Sequence, residues 1–265
     1  MNRPIGIFDS GIGGLTVVKA ICERLPNEEI VYFGDTARVP YGNKSRQTIE
    51  RFSLENVRFL LEHQVKAVVI ACNTASSLAL PALKATYRLP ILGVIEAGAK
   101  QAIQTTEDRK IGVIGTHATI ASGTYEECLK RLDSRVQVYS QSCPLFVPLV
   151  EEDWLYDEVT FEVAKRYLSP LKKTGVDTLI LGCTHYPLLS GVICRVMGDE
   201  VRLIDSAVSI AIEVERVLKE KNLLNGEGHK KRKTQFFVSD EPSKFLNLAE
   251  KFLGEKVENL EQAYS

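Results

Sequence analysis

Val68-Val69-Ile70-Ala71-Cys72-Asn73-Thr74-Ala75 is the stretch from which the fold of this chain is read. A β-branched apolar run ends in a small residue, a cysteine and two short polar residues, and a helix-like segment follows. That order predicts a buried strand that carries Cys72 to its carboxyl end. Open α/β sheets bind their ligands outside the carboxyl ends of the strands. The pattern recurs at Thr178-Leu179-Ile180-Leu181-Gly182-Cys183-Thr184-His185. One such cysteine reads first as a buried, inert thiol. Two in matched settings, one in each half of the chain, form a constellation.

Outward from Cys72, the elements alternate. Arg3–Phe8 reads as a first strand, followed by the glycine-rich turn Asp9-Ser10-Gly11-Ile12-Gly13-Gly14 and a helix through Leu25. The turn fails the dinucleotide fingerprint, because Thr16 stands where the third glycine belongs, and no Walker sequence follows. It reads instead as a tight strand-to-helix turn exposing Asp9 and Ser10, with Asp9 either a simple cap or a catalytic group. Glu29–Gly34 is a second strand, and Val39-Pro40-Tyr41-Gly42 is a turn at the same edge. Ser45–His63 is an amphipathic helix capped by Ser45. Lys66–Ala71 is the strand before Cys72, Thr74–Tyr87 a helix, and Pro90–Ile95 a short strand before the helix that follows Glu96-Ala97-Gly98. Alternation of this kind predicts a parallel sheet with helices on both faces.

The order then repeats. Ile5-Gly6-Ile7 matches Ile111-Gly112-Val113, Val31-Tyr32 matches Val138-Tyr139, and Val65-Lys66-Ala67 matches Val176-Asp177-Thr178. Ile91–Val94 corresponds to Val201–Ile204, and Asp9-Ser10 loosely to Thr116-His117 and Thr119. The expectation is a duplicated α/β fold: two pseudo-symmetric parallel-sheet domains facing each other across a shared cleft. Residues 98–206 form the second domain. Residues 1–97 and 207–265 form the first, because the tail (a helix Ala207–Asn222, a strand Thr234–Ser239 and a helix Pro242–Leu253) lies outside the repeat and packs back. The insertion Cys143–Val150 has two prolines, which argues against a strand. It reads as a packed loop bringing Glu151-Glu152-Asp153 toward the inter-domain region, or as acids capping the helix after Trp154.

Composition narrows the function classes. Among 265 residues, 33 Lys and Arg balance 34 Asp and Glu, so no excess of positive charge points to nucleic acid. The one dense basic block, Lys230-Lys231-Arg232-Lys233, reads as a solvated loop. No run approaches the ~18 apolar residues of a membrane span, and no secretory signal precedes Ile5. The chain reads as cytoplasmic. Its six cysteines show no CxxC spacing and no His cluster, so neither a zinc site nor another metal site is expected, and the thiols should be reduced. Cys22, Cys128 and Cys194 read as core packing.

Two facing cysteines suit inversion at an acidic carbon. One thiolate removes a proton from one face, and a thiol returns one to the other. A helix N-terminus at each strand end would favour the thiolate, with Asp9 assisting one thiol and His185 the other. Ser10, Asn73, Thr74, Thr116, Thr119, Thr184 and the turn at Pro40-Tyr41-Gly42 suit a carboxylate-bearing ligand. Lysine and metal clusters are missing from these loops, which argues against pyridoxal or metal chemistry.

At these residues the chain resembles the glutamate racemases of the cofactor-independent aspartate/glutamate racemase superfamily. The segments that carry the resemblance are Phe8-Asp9-Ser10-Gly11-Ile12-Gly13-Gly14-Leu15, Asp35 through Pro40-Tyr41-Gly42, Ala71-Cys72-Asn73-Thr74-Ala75 and Gly182-Cys183-Thr184-His185-Tyr186-Pro187. The resemblance implies that Cys72 takes the proton from D-glutamate and Cys183 from L-glutamate, with Asp9, His185 and Glu151 assisting. It implies substrate contacts at Asp9, Ser10, Tyr41, Gly42, Asn73, Thr74, Thr184 and His185. It further implies no cofactor, a homodimer, and a supply of D-glutamate for peptidoglycan. Because the chain starts at its first strand, the N-terminal extension linked in some members to activation by a cell-wall precursor is not expected. The alternatives are racemisation of aspartate or a related acid, a two-domain amino-acid binding protein with incidental cysteines, and a redox pair.

Overall fold

Runs of buried apolar residues, many β-branched, make the inner strands, and partly exposed strands lie toward the sheet edges. The computed structural model describes residues 3–226, 233–254, 256–257 and 259–263. The first half runs β1 (Ile5–Asp9), α1 (Leu15–Arg24), β2 (Ile30–Gly34), α2 (Arg46–Glu62), β3 (Ala67–Ile70), α3 (Asn73–Thr86) and β4 (Ile91–Gly93). The helix α4 (Val94–Thr105) leads into β5 (Lys110–Gly115), α5 (His117–Ala121), α6 (Thr124–Leu132), β6 (Gln137–Ser142) and α7 (Phe146–Glu151). Then come α8 (Glu158–Thr174), β7 (Thr178–Gly182), α9 (Ser190–Met197), β8 (Arg202–Asp205) and α10 (Ser206–Glu220). The tail adds β9 (Thr234–Val238), α11 (Pro242–Leu253) and β10 (Leu260–Gln262).

All pairings are parallel. One sheet has the order β10-β9-β2-β1-β3-β4 and the other β6-β5-β7-β8. Without its two tail strands, the first sheet repeats the order of the second. The tail is stitched in by β9, which pairs with β2 from Ile30↔Thr234 to Gly34↔Val238. The buried Lys66 ammonium pairs with Glu28 at 2.5 Å and donates to the Leu223 carbonyl, holding the chain after α10 beneath this sheet. A continuous apolar cluster joins Ile7 and Val69 of the first sheet, through α1 and α10, to Leu179 and Leu181 of the second.

The ladders refine the repeat. Ile5 pairs with Ala67, and Ile111 pairs with Thr178. Ala67 and Thr178 each lie five residues before their cysteine, so Cys72 and Cys183 occupy equivalent positions. On the outer strands the matching shifts: Ile30, not Val31, is the counterpart of Val138, and Ile91 is the counterpart of Leu203. Three further expectations are corrected. The short strand ends at Gly93 because β3 offers no rung beyond Ile70, and Val94 and Ile95 open α4 instead of prolonging β4. The segment after Cys143 ends in a short helix; Pro148 lies in its first turn, where no intrahelical N–H is required. Asp157, not one of the three acids before Trp154, caps α8. Cys22 and Cys128 are buried but Cys194 is only half-buried, and none of the six cysteines forms a disulfide. Residues 230–232 of the basic block lie outside the described residues.

Candidate active site

Cys72 is the N-cap residue of α3, and its carbonyl accepts the Ser76 N–H at 2.8 Å, an i→i+4 bond. Cys183 should be its twin, but the equivalent donor in the second half is Pro187, which has no N–H. The chain closes a tighter turn, with Tyr186 N–H on the Cys183 carbonyl at 3.1 Å, runs through a 3₁₀ turn at Tyr186–Leu189, and becomes α-helical only at Ser190. The expected helix N-terminus is therefore present at Cys72 and absent at Cys183.

Different neighbours support the two thiols. Cys72 Sγ donates to Ser10 Oγ at 3.6 Å. Burial, then the nearby Asp9 carboxylate, push its pKa up to about 12, with smaller opposing contributions from the Ala75 N–H and Ser10. Cys183 Sγ lies 3.8 Å from His185 Nδ1, and His185 Nε2 lies 3.2 Å from Glu151 Oε1. Burial opposes a charge on His185, but the bonds to Cys183 and Glu151 outweigh it and bring the imidazole to about 10. Glu152 is exposed, so Glu151 is the acid that the insertion brings to the site.

Asp9 is fully buried. It does not cap α1, whose cap residue is Gly14; its Oδ2 accepts the Gly11 N–H at 3.0 Å. Burial raises its pKa, against the opposing pull of His185 and of backbone N–H groups. Its Oδ1 has no hydrogen-bond partner among the described residues, and neither has the buried Nδ2 of Asn73. Tyr41 donates from its hydroxyl to Asp35 and accepts from Asn56 Nδ2, so its ring forms wall while its polar end is engaged elsewhere. Burial and the Asp35 charge raise that phenol far out of the physiological range.

A cavity of about 40 Å³ is lined by Ser10, Pro40, Tyr41, Gly42, Cys72, Asn73, Thr74, Thr116, Glu151, Cys183, Thr184 and His185. Two expected residues lie behind this lining. Asp9 is fully buried and absent from the lining, and Thr119 closes a triangle of hydroxyls with Thr74 at 3.1 Å and Thr116 at 3.0 Å. Gly11, Val39 and Val147 also line the cavity without having been singled out; an aliphatic wall residue carries no chemical signal in a sequence. Two glycines let the halves approach. A Cβ at Gly13 would lie 2.3 Å from Thr184 Oγ1 and 2.6 Å from His185 Nδ1, and one at Gly42 would lie 2.8 Å from Thr116 Cβ. A larger recess of about 440 Å³ between α3, α4 and α10 contains neither thiol.

Among the described residues, no cluster of three or more His, Cys, Asp or Glu is placed to hold a metal ion. No described helix is long and apolar enough to cross a membrane. The arrangement offers two thiols, a buried carboxylate and an imidazole–carboxylate pair, the groups required to move protons on opposite faces of a small acid.

Comparison with known proteins finds relatives over nearly the whole chain. The glutamate racemase of Neisseria meningitidis serogroup A is 52% identical over 261 residues, 98% of this chain and 96% of the relative. The crystal structure of glutamate racemase isoform RacE1 from Bacillus anthracis superposes with a TM-score of 0.95 at 41% identity, covering 98% of this chain and 97% of that one. The Francisella tularensis glutamate racemase, solved in complex with D-glutamate, gives 0.92 at 41% identity, over 99% and 97%. A sequence profile of the Asp/Glu/hydantoin racemases matches residues 8–214, and the chain belongs to that family.

Proposed function

We propose that this protein interconverts L- and D-glutamate by a cofactor-independent two-base mechanism, with Cys72 and Cys183 as the bases. The observation that carries the reading is the placement of both thiols, from equivalent strand ends of two sheets, on the wall of one cavity. For L-glutamate, the Cys183 thiolate takes the Cα proton, and the electron pair passes into the adjoining carboxylate as a planar carbanion. The Cys72 thiol then gives its proton to the opposite face. With its pKa near 12, Cys72 rests as the thiol and is ready for this direction. His185, charged and held by Glu151, stabilises negative charge on Cys183. The unpartnered Asn73 Nδ2 offers the zwitterion a donor on the cavity wall, and the unpartnered Asp9 Oδ1, behind that wall in the closed form, offers an acceptor once the site opens. Ser10, Thr74, Thr116, Thr184 and the Tyr41-Gly42 turn supply the remaining contacts, with Thr119 acting behind them.

The cavity of about 40 Å³ is small beside the roughly 300–1,000 Å³ of sites for drug-sized ligands, which supports a reading in which the two walls part to admit an amino acid. We take residues 1–97 with 207–265 as one domain and 98–206 as the other, working as a cytoplasmic homodimer that supplies D-glutamate for peptidoglycan. The test is incubation with L-glutamate in D₂O without added cofactor, following optical rotation and Cα deuterium by NMR, with aspartate in parallel. The expected result is loss of rotation, with deuterium in the newly formed D-glutamate. Exchange without inversion would leave only one thiol active. Turnover of aspartate alone would change the substrate, and binding without any exchange would make the protein a binding module.

A further inference from the structure

We infer that Tyr125, a residue of α6 outside the motifs that mark the site, is a positioning residue for the reaction: its hydroxyl sets the Asn73 amide and ties the Cys72 wall to the Cys183 wall. Tyr125 is buried, and its Oη donates to Asn73 Oδ1 at 2.7 Å. Asn73 directly follows Cys72. The ring of the same tyrosine packs against Gly182, which directly precedes Cys183; a Cβ there would lie 3.1 Å from Tyr125 Cε2 and 2.5 Å from the Ile114 carbonyl oxygen. One side chain therefore touches the residue beside each thiol, and both thiols line the cavity.

The hydrogen bond also fixes which end of the amide faces the ligand. No other hydrogen-bond partner of the Tyr125 hydroxyl is present among the described residues. A flipped amide would leave both the hydroxyl proton and Asn73 Oδ1 without partners. The orientation seen leaves a single group unpaired, the buried Asn73 Nδ2, and Asn73 lines the cavity. Tyr125 thus presents a donor to an anionic oxygen of the substrate. Such a contact strengthens ground state and transition state alike, so its loss appears in KM and not in kcat.

The inference rests on the racemase reading, and the test separates the two. Wild type, Tyr125→Phe, Asn73→Ala and the double variant are assayed with both glutamate enantiomers. Tyr125→Phe should raise KM roughly five- to tenfold in both directions, the weight of one neutral hydrogen bond, with kcat within about twofold of wild type. In the Asn73→Ala background the same change should leave KM where it is. An unchanged KM, a loss of melting temperature alone, or additive effects would overturn the proposal. Wild type that fails to racemise glutamate would sink the functional reading instead. The side-chain ¹⁵N resonance of Asn73 then decides the contact without turnover: it shifts in Tyr125→Phe if the hydroxyl holds the amide, and an unmoved resonance overturns the proposal.

Discussion

Cys72 and Cys183 stand at equivalent ends of two matching ladders, yet the folds around them diverge within four residues. After Cys72 the chain enters a 14-residue helix, whose first turn begins on the cysteine's own carbonyl. After Cys183 a proline removes the equivalent donor, and a histidine stands where the first half has Thr74. The carboxylates differ too. Asp9 ends β1 beside Cys72, while its ladder counterpart at the end of β5 is Gly115. One thiol is served by a helix end, Ser10 and a buried acid, the other by an imidazole held by a carboxylate. The matching ladders set where the sulfur atoms sit, and the differing residues around them decide how each is poised. A substrate and its mirror image have equal energies, so the two directions share one kcat/KM. The difference between the walls must show in the separate constants and in partial reactions.

The strongest way to break this comparison is to remove one thiol at a time. Cys72→Ser and Cys183→Ser should each lower racemisation by roughly 10²–10⁴-fold, the usual worth of a positioned acid or base. In D₂O, Cys72→Ser should still exchange the Cα proton of L-glutamate and Cys183→Ser that of D-glutamate, each with retention. Normal racemisation by either variant would refute the two-base assignment.

Glu151→Gln tests the imidazole side and should lower kcat by about 10- to 100-fold, as for loss of a hydrogen bond to a charged group. It should also draw the His185 pKa down from about 10 toward its ordinary 6.5, followed by NMR of the ring protons. The folded-state pKa is the raised one. The stabilisation it carries is complete below about 6.5 and is lost as pH rises toward 10. Urea midpoints should fall across that window in wild type and fall less in Glu151→Gln. A flat wild-type profile would remove the charged imidazole from the account.

Asp9→Asn probes the opposite wall. The Asp9 charge raises the Cys72 pKa, so the variant should titrate lower, read by pH-dependent alkylation in a Cys183→Ser background. An unchanged or higher value would place the control of Cys72 elsewhere. Gly13→Ala leaves every catalytic group in place and should cost about 1–3 kcal/mol of stability from overpacking against Thr184 and His185. Full stability in that variant would show that the halves do not meet tightly at this contact.

Much of this was legible in the chain. The two apolar runs ending in cysteine gave both sheets and the cavity, because a buried parallel strand has a strong local signature. The Pro-Leu-Val run before Glu151 marks the segment that reaches His185, although the two prolines of that segment hide the short helix it forms. Pro187 is itself a sequence signal for the missing helix at Cys183, once it is matched to Ser76 through the ladder register. Outer-strand register was beyond local reading, since Ile30 and Val31 are equally good strand residues and only pairing separates them. Tyr125 was invisible for another reason. Its contact with Asn73 joins residues 52 positions apart in a segment that carries no motif.

The insertion of β9 beside β2 has a consequence for synthesis. The second sheet draws on residues 110–205 alone, so it can assemble as soon as that stretch leaves the ribosome. The first sheet cannot. The outer edge of β2, the apolar run Ile30–Gly34, waits for a partner about 200 residues later, roughly 10–40 s at ordinary rates of translation. During that interval it is an open template for strands of other nascent chains. The sheet that begins first is completed last, which makes premature termination after α10 a route to aggregation and not merely to an inactive fragment.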